Sequence, residues 1–245
     1  MKIEQTSTGV ILHQPTDEVK RKCLRYFSLH DPVREYFIYS GKDTSKKPLF
    51  GKEHDVIYIT SGFLHVNDKV IQSLQRQVHH ITPKDGKTVH VTMNRQPRSK
   101  LQEDCIQNII NSKKAKITIE VKPGVGKTFM ALYAISKLER KPLIVAPTVL
   151  LKNQWIENLE DLGIDRSDIA TTIYDGPNKT FCVVTISSIE NELRKDWKGL
   201  MDVIDKGGYG IKITDESHLH MKGLLKFDAI CNIKRNWYLS ATLGR

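Results

Sequence analysis

The fold is decided by residues 115–138, which read AKITIEVKPGVGKTFMALYAISKL. A strand pattern at 115–121 enters a glycine-rich turn, and apolar residues at helical spacing follow from Lys127 to Leu138. A strand, a glycine-rich turn and a helix in this order form the context that a phosphate-binding loop requires. Gly124 and Gly126 would let the backbone curl, so that successive N–H groups converge on phosphate oxygens.

The turn and the first two helical residues supply the predicted nucleotide site. Lys127 is expected to reach the β- and γ-phosphates as a point charge, and the Thr128 hydroxyl is expected to face Mg²⁺. The alternative is a chance glycine-rich turn before a helix, since Val121 replaces the first glycine of the general GxxxxGK[ST] pattern. The predicted nucleotide-binding residues of this stretch are Val121, Lys122, Pro123, Gly124, Val125, Gly126, Lys127 and Thr128.

A pair of acidic residues follows a second apolar strand. Asp215 and Glu216 come directly after Ile211–Thr214, at the carboxyl end where an open parallel sheet places its ligand. One carboxylate can hold Mg²⁺ while its neighbour orients and deprotonates an attacking water. We therefore predict Lys127, Asp215 and Glu216 as catalytic, with Thr128 and Asp215 at the metal, and we expect the two strands to be adjacent. The alternative is two acids that merely end a strand.

Strands and helices alternate along the second part of the chain. Helices at 99–112, 127–138, 150–159 and 189–193 are predicted between strands at 115–121, 143–146, 181–186, 211–214 and 237–239. This alternation indicates an α/β fold with a parallel sheet and crossover connections. The polar, basic and proline-broken segment 94–100 is the most plausible linker. It divides the chain into domains at 1–95 and 96–245.

Residues 1–95 read as a small α/β accessory domain. Strands are predicted at 10–12, 36–39, 56–59 and 88–92, and helices are predicted to begin near Thr16 and after Asp68. Residues 41–51 have the composition of a basic loop. This domain is a candidate DNA-binding element, and the alternative is a domain that only packs against its neighbour.

Composition limits the class of protein. The 245 residues are 39% hydrophobic and 27% charged, with a formal net charge of +10. This charge is compatible with binding to a phosphate backbone but does not establish it. The sequence contains no apolar run of membrane-spanning length and no signal-peptide pattern at its start, which predicts a cytoplasmic protein with no membrane partner. Its four cysteines lack CxxC spacing, which argues against a zinc ribbon.

Four short motifs, taken together, resemble those of superfamily 2 helicases. Residues 123–128 resemble their motif I, Asp215-Glu216-Ser217-His218 their DExH box, and Ser240-Ala241-Thr242 their motif III. Residues 146–148, Ala-Pro-Thr, with Gln-Trp at 154–155 are similar to motif Ia and its sequel in the XPB/UvsW-like branch, which includes phage recombination helicases. The resemblance covers residues 98–245, and Leu243 departs from it where proline is usual.

The resemblance implies a RecA-like P-loop domain that binds ATP and Mg²⁺ and hydrolyses ATP while acting on DNA in recombination, repair or replication. Gln102 would recognise adenine. Coupling between the ATP and DNA sites is implied for His218, Ser240 and Thr242, and DNA contact is implied for Pro147, Thr148, Thr185 and Ser187. Single-stranded, duplex and branched DNA all remain open as partners, and RNA is the open alternative to DNA.

The resemblance also implies that a second RecA-like domain, expected beyond this chain, would complete the ATP site. Residues 1–245 alone are then expected to hydrolyse ATP poorly. The main hypothesis is the N-terminal part of a DNA helicase or branch-remodelling translocase. The alternatives are a DNA-binding module without motor activity and the motor subunit of a restriction enzyme.

Overall fold

The computed structural model describes residues 1–27, 56–60, 67–79 and 81–241. The predicted strand at 36–39, the basic loop at 41–51 and the predicted coupling residue Thr242 lie outside these ranges. Within the described ranges, no helix is both long and apolar enough to cross a lipid bilayer.

The chain divides into two compact units, each made of three segments. The first unit consists of Met1–Pro83, Glu190–Asp202 and Lys222–Asn232. The second unit consists of Lys84–Ile189, Val203–Met221 and Ile233–Arg245. The boundary predicted at 95/96 therefore falls inside the second unit, and the two functional domains stay a prediction.

The first unit contains an antiparallel sheet in the order β1-β2-β3, formed by Lys2–Gln5, Gly9–His13 and Val56–Thr60. Helices α1 (Asp17–Phe27) and α2 (Lys69–Gln75) accompany it, as predicted. The Asp68 carboxylate caps α2 by accepting hydrogen bonds from the first-turn N–H groups of Val70 and Ile71. The buried core of this unit comprises Val10, Leu12, Val19, Cys23, Ile71 and Leu74.

The second unit contains strands β4 (Lys116–Glu120), β5 (Pro142–Ala146), β6 (Ile169–Ala170), β7 (Phe181–Thr185), β8 (Ile211–Thr214) and β9 (Arg235–Ser240). They form a six-stranded parallel sheet in the order β4-β9-β8-β5-β7-β6. This arrangement confirms the predicted α/β class. One expectation was wrong: β9 lies between β4 and β8, so the strands before Lys127 and before Asp215 are not adjacent.

The later helices follow the predicted order but not every predicted length. The helix predicted at 189–193 is part of the much longer α6 (Ile186–Gly207), which has a non-helical residue, Asp196, in its interior. The charged residues Arg194, Lys195 and Asp196 interrupt the apolar pattern there, which is why the sequence indicated a shorter helix. The helices are α3 (Lys100–Asn111), α4 (Lys127–Leu138), α5 (Val149–Asp161), α6 (Ile186–Gly207) and α7 (Met221–Ile230). Short 3-10 helices occupy Arg166–Asp168 and Gly176–Asn178.

Residues 84–90 cross the amino ends of the strands as a strap instead of forming the strand predicted at 88–92. Lys87 N–H donates to the Gly208 carbonyl at 2.7 Å, and Lys141 N–H donates to the Lys87 carbonyl at 3.0 Å. A Cβ atom on Gly86 would lie 2.2 Å from the Gly210 backbone nitrogen, so only glycine fits this close approach. Thr88 therefore forms a single bridge, to Arg140, rather than a ladder.

Candidate functional site

Most of the predicted site residues follow strands at one edge of the parallel sheet, where the carboxyl ends lie. This carboxyl edge is formed by the ends of β4, β5, β7, β8 and β9. Parallel strands all end at the same edge, so side chains that are far apart in sequence meet there. The predicted phosphate loop follows β4, and the predicted acidic pair follows β8.

The glycine-rich turn adopts the conformation that its glycines permit. Gly124 and Gly126 have φ angles of 81° and 95°, in the left-handed region that favours glycine. Gly126 is the N-cap residue of α4, and a helix that begins here directs its free N–H groups and the positive end of its dipole toward the turn. Val121 N–H donates to the Ser240 carbonyl at 3.4 Å, which ties the start of the turn to the end of β9.

Gln102, the predicted adenine-recognising residue, lies against the glycine-rich turn. Its amide nitrogen donates to the Val125 carbonyl at 2.7 Å, and its amide oxygen accepts from the Arg98 backbone N–H at 2.8 Å. The side chain is buried near the start of α3, where Ser99 forms the N-cap. The structure thus connects Gln102 to the loop, while its contact with adenine stays a prediction.

Lys127 and Glu216 bring the loop and the acidic pair together. The Lys127 ammonium donates to Glu216 Oε1 at 2.7 Å, and the Ala241 N–H approaches Glu216 Oε2 at 3.4 Å. Burial acts to raise the pKa of Glu216, but the Lys127 ammonium and the Ala241 N–H outweigh it, and the net pKa is lowered. Glu216 is therefore held as a carboxylate beside the glycine-rich turn.

Asp215 has a different environment from its neighbour. Burial raises the pKa of this carboxyl, although the Trp155 indole and the Glu216 backbone N–H act in the opposite direction. The indole nitrogen of Trp155 donates to Asp215 Oδ2 at 2.8 Å, and Glu216 N–H donates to Asp215 Oδ1 at 2.9 Å. Two adjacent acids thus have pKa values displaced in opposite directions, an arrangement typical of sites that divide roles between carboxyl groups.

The contact of Trp155 with Asp215 was not predicted from the sequence. Trp155 lies seven residues after Thr148, the N-cap of α5, so two helical turns separate them. In the sequence, Gln154-Trp155 indicated only the resemblance to the XPB/UvsW-like branch. Helical spacing could have placed Trp155 on the buried face of α5, but nothing local in the sequence identifies a partner 60 residues away.

Two of the three predicted coupling residues meet. His218 Nδ1 lies 3.1 Å from the Ser240 hydroxyl and 3.5 Å from Glu216 Oε2. Ser240 is fully buried at the end of β9. His218 therefore contacts both the acidic pair and the last residue of β9. This is the place that its predicted coupling role requires.

The predicted nucleic-acid residues follow two neighbouring strands. Thr148 caps α5 by accepting from Leu151 N–H at 3.2 Å, and Thr185 caps α6 by accepting from Ser188 N–H at 3.3 Å. Pro147 is buried and Ser187 is exposed. The structure therefore gives both threonines a capping role, and their contact with nucleic acid remains a prediction.

The residues present are compatible with Mg²⁺ and a nucleotide. The ion prefers hard oxygen ligands and keeps several waters, so a hydroxyl and one or two carboxylates suffice alongside phosphate oxygens. Asp215 offers such oxygens, each with a lone pair left after its described hydrogen bond. Thr128 lies in the first turn of α4, beside the lysine that contacts Glu216.

Comparison with known families supports this assembly of motifs. Residues 96–245 match the family described as "Type III restriction enzyme, res subunit". The DNA 3'-5' helicase XPB of Kineococcus radiotolerans is 24% identical over 147 residues, which cover 59% of this chain and 26% of that protein. The XPB subunit of the general transcription and DNA repair factor IIH of Encephalitozoon cuniculi is 25% identical over 162 residues, covering 62% and 22%. The chain thus spans about a quarter of these relatives.

The fold is also similar to a solved structure. The crystal structure of T4 UvsW aligns with 98% of this chain and 52% of that chain, at a TM-score of 0.50 and 13% sequence identity. At this identity the likeness concerns the fold alone. It supports a RecA-like arrangement of the parallel sheet.

Proposed function

The chain belongs to the family of the type III restriction enzyme res subunit, within the superfamily 2 helicases, and we propose that its residues 96–245 bind and hydrolyse ATP with Mg²⁺. The observation that carries this proposal is the 2.7 Å contact between Lys127 and Glu216. It brings the lysine of a phosphate-type loop to an acid that follows another strand of the same sheet. A glycine turn alone, or an acidic pair alone, would not produce this convergence.

The same contact suggests how the site responds to its substrate. The phosphates of ATP compete with Glu216 for the Lys127 ammonium, because phosphate oxygens are strong acceptors of charge-assisted hydrogen bonds. Glu216 is then free to orient an attacking water and accept its proton. Thr128 and Asp215 would hold Mg²⁺, which supplies charge stabilisation for phosphoryl transfer.

Substitution of Lys127 tests the nucleotide site. Lys127→Ala should weaken binding of an ATP analogue by roughly 10- to 100-fold, since a hydrogen bond to a charged group contributes about 1.5–3 kcal/mol. Lys137→Ala is the matched control, because Lys137 is an exposed lysine in the last turn of the same helix. Equal affinity of the Lys127 variant, the Lys137 variant and the wild type would refute the proposal.

We further propose that nucleic acid binds at the carboxyl edge. If the protein is a motor of the helicase type, we expect this nucleic acid to be DNA. The XPB relatives are named as a DNA helicase and as a subunit of a DNA repair factor, whereas a mimivirus protein that is 50% identical over 46 residues is named a putative ATP-dependent RNA helicase. DNA is the ligand proposed, and an RNA oligonucleotide of the same length is the comparison that tests this choice. A motor should lose ATP hydrolysis in Lys127→Ala yet retain its affinity for a DNA oligonucleotide. A binding module without motor activity should show DNA binding and no DNA-stimulated hydrolysis in the wild type.

A restriction-enzyme motor is the second candidate function, favoured by the description of the matched family. It shares the ATP site, and it differs in predicting ATP-dependent cleavage of DNA by the assembled enzyme. Branch remodelling instead predicts strand rearrangement with intact DNA. Incubation with branched and linear DNA, analysed on a denaturing gel, separates these outcomes.

A second RecA-like domain is proposed to complete the site. Arginines supplied across such a cleft contribute about 10³- to 10⁵-fold in rate. Residues 1–245 alone should therefore hydrolyse ATP slowly even with DNA present. A DNA-stimulated turnover on the order of 10 per second from these residues alone, typical of complete phosphoryl-transfer enzymes, would contradict this.

The first 95 residues are proposed to contact nucleic-acid phosphates. Replacing Lys42, Lys46 and Lys47 of the basic loop by serine should lower the slope of log affinity against log salt by about one unit per lost phosphate contact. Lys113→Ser with Lys114→Ser is the control, since both are exposed just before β4, at the opposite edge from the site. If the slope of log affinity against log salt is unchanged in the triple variant, the proposed phosphate contact is refuted, and the alternative of a domain that only packs against its neighbour is favoured.

A further inference from the structure

We propose that Trp155 is a positioning residue that fixes the Asp215 carboxylate through its indole N–H. This inference rests on the proposed function, in which Asp215 holds Mg²⁺. Trp155 is 2% exposed and its Nε1 lies 2.8 Å from Asp215 Oδ2. Indole nitrogen is a donor only, so the contact has a single direction.

The orientation of Asp215 is determined from three sides. Its backbone N–H donates to the Val145 carbonyl at 3.0 Å, which anchors the residue to β5. Its Oδ1 accepts a hydrogen bond from the backbone N–H of the next residue, Glu216. Its Oδ2 is reached only by Trp155 among the hydrogen bonds described, so the indole and the Glu216 N–H together fix how the carboxylate plane is turned. Each oxygen still has a free lone pair with which to bind an ion or its waters.

Trp155 is itself rigidly held. It lies in the core cluster of the second unit together with Leu159 and Val183, on the helix that packs against β5 and β7. A tryptophan in a close-packed core has little freedom about its two side-chain torsions. The indole therefore reaches from α5 to the end of β8 as a fixed donor, and it can hold Asp215 in one rotamer before any ligand binds.

The competing explanation is that Asp215 merely satisfies a buried indole. A buried donor needs an acceptor, and a backbone carbonyl would serve as well without placing a carboxylate in partly buried surroundings. The two explanations differ in what depends on the contact. A packing role predicts lost stability alone, whereas a positioning role predicts a specific loss of Mg²⁺-dependent nucleotide binding.

Trp155→Phe tests this difference, because it keeps an aromatic core residue and removes the donor. Binding of an ATP analogue with a fluorescent ribose label is measured by polarisation while MgCl₂ is titrated. The Mg²⁺ concentration for half-maximal binding should rise about 10-fold, as expected for loss of a hydrogen bond to a metal ligand. Trp237→Phe is the matched control, since Trp237 is equally buried in the same core. An unchanged Mg²⁺ requirement in Trp155→Phe, or an equal rise in both variants, would overturn the proposal.

A double-variant cycle shows whether Trp155 acts through Asp215. In an Asp215→Asn background, Trp155→Phe should cause no further rise in the Mg²⁺ requirement, because the ligand it orients is gone. A full additional rise would mean that Trp155 acts elsewhere. Failure of the wild-type protein to bind the analogue in a Mg²⁺-dependent way would instead overturn the proposed function, so the two failures are distinguishable.

If Trp155→Phe does not fold, the fluorescence of Trp155 itself tests the proposal. The chain has three tryptophans, so Trp197→Phe with Trp237→Phe leaves Trp155 as the single indole. Its emission should change when MgCl₂ and ATP are added together, since the charge at its hydrogen-bond acceptor changes. An emission spectrum that is insensitive to both would refute the proposed contact with the metal-holding carboxylate.

Discussion

Replacement of Gly126 by alanine should destabilise the second unit through two separable effects. A left-handed φ of 95° costs a residue with a Cβ about 1–2 kcal/mol. The new Cβ would also lie 2.9 Å from the amide nitrogen of Gln102, closer than van der Waals contact permits. Gln102 is buried and hydrogen bonded at both ends of its amide, so moving it sacrifices the bond to Val125, which contributes about 1 kcal/mol. The expected total is about 2–3 kcal/mol.

Gly163→Ala isolates the second effect. Gly163 follows α5 with a φ of 90°, and a Cβ there would meet nothing within 4 Å. Both substitutions carry similar backbone strain and the same loss of unfolded-chain entropy, so these contributions cancel in the difference. Gly126→Ala should therefore be less stable than Gly163→Ala by about 1 kcal/mol, the value of the displaced hydrogen bond.

The assay is urea unfolding followed by indole emission in a Trp197→Phe background. Trp155 and Trp237 both belong to the second unit, so the signal then reports that unit alone. Combining Gly126→Ala with Gln102→Ala should remove the extra 1 kcal/mol or so, because no amide remains to be displaced. Equal destabilisation by Gly126→Ala and Gly163→Ala would refute the reasoning, as would a Gly126→Ala penalty that persists without Gln102.

Two further predictions concern ends of the sheet. The Arg235 hydrogen bond, outweighing burial and aided by Lys234, lowers the pKa of Asp85 to about 2. The contribution of the ionised Asp85 carboxylate to the free energy of unfolding should be complete above its unfolded pKa of about 3.9, and it should disappear as the pH falls toward 2. Unfolding curves of Asp85→Asn should therefore show a smaller loss of stability at acid pH. The Asn variant should cost only about 1 kcal/mol at pH 7, because the carboxylate is 41% exposed and solvent screens it. Thr148→Ala should cost about 1 kcal/mol through loss of the α5 cap, whereas Thr148→Asn should keep the melting temperature within about 1 °C.

Local signals explain what the sequence could predict. The helix from Lys127 to Leu138 was predicted with its observed bounds, because glycines before it and apolar spacing within it leave little choice. Asp215 and Glu216 were placed correctly after a strand, since the β-branched residues Ile211, Ile213 and Thr214 lead into them. These features depend on residues that are close in the chain, so a single sequence is enough to predict them.

Non-local contacts explain what it could not predict. The pairing of β9 with β4, which separates β4 from β8, joins residues more than 100 positions apart, and no local pattern encodes it. The strap at 84–90 has β-branched residues, yet bonds to Gly208 and Lys141 direct it across strand ends. The bond from Trp155 to Asp215 likewise exists only once α5 has packed on the sheet.

The capping threonines show that a structural role and a binding role need not exclude each other. A hydroxyl oxygen that accepts an N–H hydrogen bond still has its own hydrogen to donate. Thr148 and Thr185 cap helices that follow paired strands β5 and β7, so two positive helix ends are directed to the same edge as the glycine-rich turn. The hydroxyl hydrogens at this edge can therefore point to nucleic-acid phosphate oxygens without weakening either cap. For this reason Thr148→Asp, which preserves the cap acceptor but has no hydrogen to donate to a phosphate, separates binding from stability better than alanine does.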